Sequence, residues 1–369
     1  MKTWASIQHL RAAAAIAVAV YHACQWLGGG FQVGRAGVDV FFVISGFIMW
    51  SITAGDETPR APPAKVDTGL AIGRRSDSKV RAFLSRSGRF DLTGEGSRPL
   101  TFLRRRITRV APGYWAATLI MAAIAIAWPA FLPQIRAGWS HVLLSMAFVP
   151  HLDPLGQPFP MLPAGWTLNY EAVFYGLFAL ALMLPERTRL GTMTAALFAI
   201  GVFGYVDRAT YAMGANFMMA EFALGLWIGR LVQTGFLVGP RLGAAFVAAA
   251  LAAFAVTNTA GWADSFFRPL VWGAPSALLV AGALALEQRG LVLAWPPLKA
   301  LGDASYAIYL AHMAAVALVF HLVGIAQPAL FLALALAATV AAGWLFHVGV
   351  ERPLTRLSRE VLATPAPAH

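Results

Sequence analysis

Two polar residues interrupt the first apolar stretch of the sequence, which runs from Gln8 to Leu27. Read as one helix, this stretch places Arg11 and His22 close to three full turns apart, so the two side chains share one face. The axial rise separates them by roughly 16 Å, about half the thickness of a bilayer's hydrocarbon core. Arg11 alone can snorkel to the membrane surface, and His22 alone can be a hydrogen-bonded core residue. On one stripe among alanine and valine, the pair indicates a polar track into the membrane interior.

Four arginines precede the third apolar stretch, in the segment FLRRRITRVAPGYW. Arg106 and Arg109 are three residues apart and therefore share a helical face, with Arg104 and Arg105 beside them. Because a guanidinium can bind phosphate with two parallel hydrogen bonds, this cluster suits a phosphate-bearing anion at the cytoplasmic mouth of a bundle. The alternative is that these arginines only anchor the helix on the cytoplasmic side.

Two carboxylates lie inside other apolar stretches. Glu171 is near the start of GWTLNYEAVFYGLF, beside Tyr170, and Asp39 lies in GVDVFFVISGFIMW. Because an acid in lipid is costly, we expect Glu171 to belong to a functional site. Asp39 is comparable, but the alternative for it is a simple ion pair with Arg35 or Arg11.

A polar stripe is predicted on the helix that contains GDASYAIYLAH. Ser305, Tyr309 and His312 follow spacings of four and three residues, so their side chains lie on one side of that helix. Such residues either hold helices together in the membrane or take part directly in chemistry, and the sequence leaves both readings open.

The composition is that of a polytopic membrane protein. Hydrophobic residues make up 59% of the 369 residues and charged residues 12%, and the mean hydropathy is +0.65. A net charge of +11 would suggest nucleic acid in a soluble protein, but here the positive-inside rule explains it. We therefore expect no nucleic-acid partner. One cysteine, Cys24, excludes an intramolecular disulfide.

Ten apolar stretches predict an all-α, polytopic integral membrane protein with about ten transmembrane helices in one bundle. They are Ile7–Leu27, Ala36–Thr53, Ile107–Trp128, Gly165–Leu184, Arg189–Val206, Met213–Leu231, Pro240–Asn258, Phe267–Leu286, Asp303–Leu322 and Pro328–Val348. With a cytoplasmic N-terminus, the opposite face holds only Arg35, Arg136, Arg208 and Arg268. The positive-inside rule therefore predicts that both termini are cytoplasmic.

Two segments depart from the span pattern. Trp139–Pro150 is apolar but too short to cross, so we expect a short re-entrant or interfacial helix there. Residues 54–99 mix charges with Gly, Pro and Ser and predict a long polar cytoplasmic loop. The expected organisation is one transmembrane domain over residues 1–353, with this loop inserted, and a cytoplasmic tail over residues 354–369.

The sequence resembles the acyltransferase family 3 membrane proteins, and among them the exopolysaccharide O-acetyltransferases. The resemblance rests on IQHLRAAAAIAVAVYH, GVDVFFVISGFIMW, FLRRRITRVAPGYW, GWTLNYEAVFY, LGDASYAIYLAH and VERP, which follow the family's order along nearly the whole chain. The family's essential arginine and histidine fall on Arg11 and His22. Its R-x-x-R pair falls on Arg106 and Arg109, and its intramembrane glutamate on Glu171. The loop over residues 54–99 is longer than is usual in the family.

The resemblance implies an O-acyltransferase of the bacterial inner membrane that uses cytoplasmic acyl-CoA, with acetyl-CoA as the expected donor, and has no permanently bound cofactor or metal. The donor would dock at Arg104–Arg109 with Arg11. His22 would act as general base on an acceptor hydroxyl or as a covalent acyl carrier, with Glu171 orienting or charge-balancing its ring. The expected partners are acyl-CoA, membrane lipid and a polysaccharide or lipid-linked oligosaccharide, and a homodimer is compatible with the sequence.

Aromatic residues expected near the outer surface are candidates to bind a sugar acceptor. Trp166, Tyr170 and Trp139 would offer flat faces on which a sugar ring can stack.

A second class of function fits the same residues. Intramembrane Arg, His and Glu could form the proton relay of a secondary transporter or of a flippase for lipid-linked sugars. Against it, the two halves show no internal repeat and no matching pair of Gly/Pro-broken helices. A scaffold without chemistry fits the polar track poorly.

Overall fold

The computed structural model describes residues 4–53, 98–206, 216–236, 238–258 and 268–362. Over these ranges the chain is helical and contains no β-strand, which agrees with the all-α expectation. Most of the polar loop expected over residues 54–99, and the end of the expected tail, lie outside the described residues.

The described residues form twelve α-helices, labelled here in chain order. They are α1 (Ala5–Trp26), α2 (Ala36–Thr53), α3 (Arg98–Ala127), α4 (Trp139–Met146), α5 (Trp166–Ala181), α6 (Glu186–Val206), α7 (Met219–Gln233), α8 (Pro240–Thr257), α9 (Ala274–Gln288), α10 (Pro296–Val323), α11 (Pro328–Phe346) and α12 (Arg352–Leu362). A π-helical turn at Pro269–Gly273 leads into α9, and a second one at His347–Glu351 joins α11 to α12.

Proline and glycine mark several helix boundaries. Pro240, Pro296 and Pro328 stand in the first turn of α8, α10 and α11, where the missing N–H would have no helical partner and the fixed φ suits the helix. Gly290 follows the end of α9 and Gly324 that of α10, with φ of +74° and +64°. These values are in the left-handed region, which glycine adopts without steric cost.

Six helical segments are long and apolar enough to cross a membrane. They are Gln32–Thr53, Pro99–Ala127, Pro240–Thr257, Pro269–Gln288, Pro296–Val323 and Pro328–Val361. Large apolar side chains such as Ile126 and Leu345 are exposed on the outside of these segments, as expected for a surface in contact with lipid. The protein is therefore a membrane protein with at least these candidate spans.

Helices also occupy the positions of the other four expected spans. α1 contains Gln8, Arg11 and His22 and α6 begins with charged residues, which lowers their hydropathy. α5 and α7 have 16 and 15 residues, or about 24 Å, less than the roughly 30 Å of a hydrocarbon core. Helices α3 and α10 begin well before the expected Ile107 and Asp303, because hydropathy detects only the part of a helix that is apolar.

Helix α1 packs on α10 in the same direction. A methyl group added at Gly302 would lie 2.1 Å from the carbonyl oxygen of Gln8, so only glycine lets the two backbones approach this closely. At the other end of the pair, the Trp26 and Phe320 rings are 4.1 Å apart. The contacts advance together along both helices, so α1 and α10 run parallel.

Helix α2 packs on α7 in the same way. A methyl group at Gly46 would lie 2.1 Å from the carbonyl oxygen of Phe222, and one at Gly229 would lie 2.7 Å from the Cβ of Trp50. This small-residue contact is typical of helices that associate in membranes. Helices α2 and α7 are therefore a second parallel pair.

Charged side chains anchor the ends of two helices that carry candidate site residues. Glu287 accepts hydrogen bonds from the backbone N–H groups of Ala5 and Ser6 at 2.8 Å each, which satisfies free donors at the N-terminus of α1. Arg189 is almost fully buried and donates to the carbonyl oxygens of Ala181 (3.2 Å) and Leu184 (3.0 Å) at the end of α5. These contacts fix where α1 and α5 begin and end.

Three ionisable side chains meet inside the bundle at the junction of α2, α7 and the π-turn before α9. Asp39 is fully buried and accepts hydrogen bonds from Arg268 Nε (3.3 Å) and Nη2 (2.9 Å). Glu221 is also fully buried and interacts electrostatically with the same two side chains, but its two carboxyl oxygens have no hydrogen-bond partner in the described part of the chain. Two carboxyl groups thus lie near one guanidinium, and Asp39 is the one that pairs with it directly.

The short helix expected at Trp139–Pro150 is present as α4. Its residue His141 is buried, and its Nδ1 lies 2.7 Å from His151 Nε2. Because His151 Nδ1 faces the carbonyl oxygen of Val149 at 2.8 Å, Nδ1 of His151 carries a hydrogen. The contact between the two rings closes the loop after α4.

The buried carboxyl cluster predicts different outcomes for two isosteric changes. Glu221 makes no hydrogen bond in the described part of the chain, so Glu221→Gln breaks none, and the free energy of unfolding should change by less than about 1 kcal/mol. Asp39→Asn removes the carboxylate that the buried Arg268 guanidinium bonds and should cost about 3–5 kcal/mol. Thermal unfolding in detergent measures both, and equal destabilisation by the two changes would contradict the assignment of Asp39 as the partner of Arg268.

The two histidines predict a pH-dependent stability. Burial first, and then His151, lower the pKa of His141. The unfolded chain therefore binds a proton more readily than the folded one, and stability present above the ordinary histidine pKa of about 6.5 is lost as the pH falls below it. His141→Asn keeps an N–H donor without titrating, so the unfolding midpoint should fall less steeply between pH 7.5 and 5. His321→Gln on α10 serves as control, and an unchanged slope in His141→Asn would contradict the assignment.

Candidate active site

The polar stripe of α1 faces α10. Arg11 donates from Nε to Ser305 Oγ at 3.2 Å, and the His22 ring lies 4.9 Å from the His312 ring, centroid to centroid, at an angle of 41°. The two residues of α1 thus meet two residues of the α10 stripe, one at each end of the stretch between them. We call these the arginine end and the histidine end of the site.

His312 is fixed at the histidine end. It is almost fully buried, and its Nδ1 lies 2.5 Å from the carbonyl oxygen of Tyr309. The Tyr309 hydroxyl lies 3.1 Å from Thr167 Oγ1 and donates to the carbonyl oxygen of Ala164 at 3.1 Å. The α10 stripe therefore connects α1 with the beginning of α5.

His22 lies between aromatic rings on both sides. Besides His312, its ring contacts Tyr21, whose centroid is 4.8 Å away. The Arg35 guanidinium lies over the Tyr21 ring at 5.7 Å. His22 thus has a cation and a second imidazole near it, and within the described ranges its electrostatic neighbours are His312 and Arg35.

Glu171 belongs to the arginine end. Its Oε1 accepts hydrogen bonds from Ser45 Oγ at 2.8 Å and from the Tyr175 hydroxyl. Arg106 lies against Tyr175 and interacts electrostatically with Glu171. The expectation that Glu171 orients the His22 ring is not supported, because the carboxylate is held beside the guanidinium groups.

Arg11 lies among charges of both signs. Its guanidinium interacts electrostatically with Arg109 and with the carboxylates of Glu351, Asp303 and Glu171. Arg109 is on the exposed side of α3, so this group of charges is accessible to water. The guanidinium groups of α1 and α3, which are far apart in sequence, thus form one basic cluster.

Three unpaired polar atoms belong to residues of the arginine end or to neighbours of Arg11 in the chain. Over the described residues, buried side-chain atoms without a hydrogen-bond partner include Arg106 Nε, Gln8 Oε1 and His9 Nε2. Such atoms cost free energy unless a ligand or water satisfies them. They are donors and acceptors available to a polar ligand beside Arg11.

The remaining predicted residues lie around this arrangement. Arg104 is half-buried and Arg105 exposed on α3. Trp166 packs edge-on against Tyr170, which is buried and accepts a hydrogen bond from Asn216, so Tyr170 is not a surface platform for sugars. Trp139 is 87% exposed.

Some partners in this region escaped the sequence analysis. Asp39 pairs with Arg268, and not with Arg35 or Arg11 as considered above. Ser45 and Thr167 hold Glu171 and Tyr309, although a hydroxyl in an apolar helix carries little sequence signal. Arg268 stood out only as a lone charge at the start of an apolar stretch, and a buried charge of this kind requires a counter-charge.

At the histidine end, the His22 imidazole can perform acid–base or nucleophilic chemistry. At the arginine end, the basic cluster can attract an anion. Within the described ranges, no group of three or more His, Cys, Asp or Glu residues could hold a metal ion.

Comparison with known proteins agrees with this chemistry. The model of the acyltransferase domain family matches residues 4–348. The exopolysaccharide production protein ExoZ of Rhizobium meliloti strain 1021 is 34% identical over 347 residues, covering 92% of this chain and 95% of the relative. The putative membrane-bound transacylase BcsY of Komagataeibacter xylinus is 27% identical over 370 residues, covering 94% and 81%. No solved structure matches the chain. With a family match that spans both ends of the site, this chain belongs to the acyltransferase domain family of membrane proteins.

Proposed function

We propose that this protein is an O-acyltransferase of the bacterial inner membrane. It moves an acetyl group from cytoplasmic acetyl-CoA to a hydroxyl group of a surface polysaccharide or of its lipid-linked precursor. The observation that carries the proposal is the α1–α10 pair, which joins a basic cluster with unpaired donors to an imidazole pair. The names of the two relatives, exopolysaccharide production and transacylase, support this class of acceptor and reaction.

The topology proposed is ten spans with both termini in the cytoplasm, forming one domain over residues 1–353 with a tail over residues 354–369. Helices α1 and α10, and likewise α2 and α7, are parallel. Parallel spans have an odd number of other spans between them, and the order of the ten stretches places seven spans between α1 and α10 and three between α2 and α7. The excess of arginine and lysine on the assigned cytoplasmic side supports the same orientation.

Acyl-CoA docks at the arginine end, which faces the cytoplasm. Its phosphates bind Arg106 and Arg109, with Arg104 and Arg105 beside them, because guanidinium groups form charge-assisted bonds to phosphate. The unpaired Nε of Arg106 supports this role. Glu171 holds the Arg106 side chain through Tyr175.

The thioester reaches along the α1–α10 contact toward His22. His22 takes the proton from the acceptor hydroxyl, whose oxygen attacks the thioester carbonyl. A carbon–oxygen bond forms, the carbon–sulfur bond breaks, and the proton passes to the thiolate, which leaves as CoA. In a variant of this route, His22 first receives the acyl group itself and then transfers it to the acceptor.

The other predicted residues support these two ends. Ser305 fixes Arg11, and Tyr309 fixes the start of α5. Asp39 holds Arg268 and with it the π-turn. Trp166 and the exposed Trp139 are the aromatic faces proposed to bind the sugar acceptor.

Replacing His22 tests the chemistry. In membrane vesicles supplied with labelled acetyl-CoA, His22→Ala should lower acetyl transfer to the glycan about 100-fold or more, because the base is lost. The chain should still insert and melt as the wild type does.

His321→Ala is the matched control, because His321 lies on α10 and bonds the carbonyl oxygen of Phe131 outside the imidazole pair. It should keep wild-type transfer. Full activity in His22→Ala would remove this residue from the reaction, and movement of a lipid-linked sugar without acetylation would favour the transporter alternative.

Replacing the arginine pair tests the docking site. Arg106→Ala with Arg109→Ala should weaken binding of acetyl-CoA to the purified protein about 100-fold, because two charge-assisted phosphate contacts are lost. The salt dependence of the remaining binding should also be shallower.

The control for this variant is Arg136→Ala with Arg241→Ala, which removes the same charge from two exposed positions elsewhere and should leave affinity unchanged. Equal affinity in the two double variants would contradict a docking site on α3.

A further inference from the structure

We propose that His312 is a second base of the transfer centre, which shares with His22 the proton removed from the acceptor hydroxyl. This inference rests on the proposed function and adds a residue to it. The observation that carries it is a buried nitrogen with a free lone pair beside the His22 ring.

The hydrogen bond at Nδ1 determines the tautomer of His312. Nδ1 lies 2.5 Å from the carbonyl oxygen of Tyr309. A carbonyl oxygen can only accept, so Nδ1 carries the hydrogen. In the neutral ring the lone pair is therefore on Nε2, which is the form of a histidine that acts as a base.

That nitrogen has no partner in the part of the chain that the structure describes. His312 is 1% exposed, and its Nε2 is buried without a hydrogen bond. A buried acceptor without a partner costs free energy, and the ring cannot turn to relieve it without breaking the bond to Tyr309. Tyr309 is itself held by Thr167 and Ala164. The packing thus holds Nε2 of His312 as a buried acceptor without a hydrogen-bond partner.

Among the groups around His312, the two imidazoles are the ones that can take up the proton of the acceptor hydroxyl. From α1 it faces His22 at 4.9 Å, with Tyr21 and the Arg35 cation beyond. From its own helix it faces Tyr309, at 5.5 Å between centroids. No carboxylate in the described ranges hydrogen-bonds either imidazole. Because two like charges at this distance repel strongly in a medium of low dielectric, the pair can take up one proton during transfer but not two.

The shared proton stabilises the charge that forms during transfer. As the acceptor O–H bond breaks, the proton goes to His22, and the resulting imidazolium donates to Nε2 of His312. The carbon–oxygen bond forms and the carbon–sulfur bond breaks. The pair then gives its proton to the thiolate, so that both imidazoles are neutral at the end and no other reactant is consumed.

Two conservative variants test this role in the full-length protein. His312→Asn keeps an N–H near the position of Nδ1 but has no base. We expect kcat for acetyl transfer to fall about 100-fold, with the KM for acetyl-CoA and the unfolding midpoint unchanged. His312→Gln offers an amide oxygen near the position of Nε2, which can accept from His22, and should recover about tenfold of that loss.

His321→Gln on the same helix is the control and should behave as the wild type. Wild-type kcat in His312→Asn would overturn the proposal, as would equal losses in both variants together with lower unfolding midpoints, which indicate a structural role. If the proposed function itself is wrong, the result is different: the wild-type protein would not transfer acetyl from acetyl-CoA at all.

Discussion

The structure depends on the cost of placing charge inside an apolar bundle. A buried ionisable group is stabilised by an opposite charge or by a helix end, because lipid and packed helices offer no water. Arg268 pairs with Asp39, and Arg189 donates to the carbonyl groups at the end of α5. These requirements determine which helices pack together, since each partner lies on a different helix.

At the candidate site this rule is satisfied incompletely. Arg11 lies among charges of both signs, and Arg106 Nε and His312 Nε2 have no partner in the described part of the chain. Buried atoms without a partner also occur elsewhere, as at Glu221 and Thr339, so the candidate site is distinguished by the guanidinium and imidazole groups that lie together along α1, α3 and α10. The close approach of α1 and α10 at Gly302 puts both ends of that surface on one rigid pair of helices.

Sequence reasoning predicted the local features and failed on the distant ones. The spacing of Arg11 and His22 and that of Ser305 and His312 placed each pair on one helix face, because helical periodicity is a local property. It could not show that the two faces meet, since that depends on packing between helices nearly 300 residues apart. For the same reason Glu171 was expected near His22 but lies with Arg106, and the partner of Asp39 was not identified.

The helix boundaries also show which features can be predicted from the sequence and which cannot. The tenth apolar stretch was predicted to begin at Pro328, where α11 begins. The first turns of α3 and α10 were missed, because they are polar and hydropathy detects only the apolar part of a helix.

The parallel contact between α1 and α10 also bears on how the protein is made. The first helix leaves the ribosome early, but its partner and the Glu287 cap at its start come near the end of the chain. At about 5–20 residues per second, tens of seconds separate their synthesis. Throughout that time Arg11 and His22 lack their contacts with Ser305 and His312, so a partly translated chain has no assembled α1–α10 site.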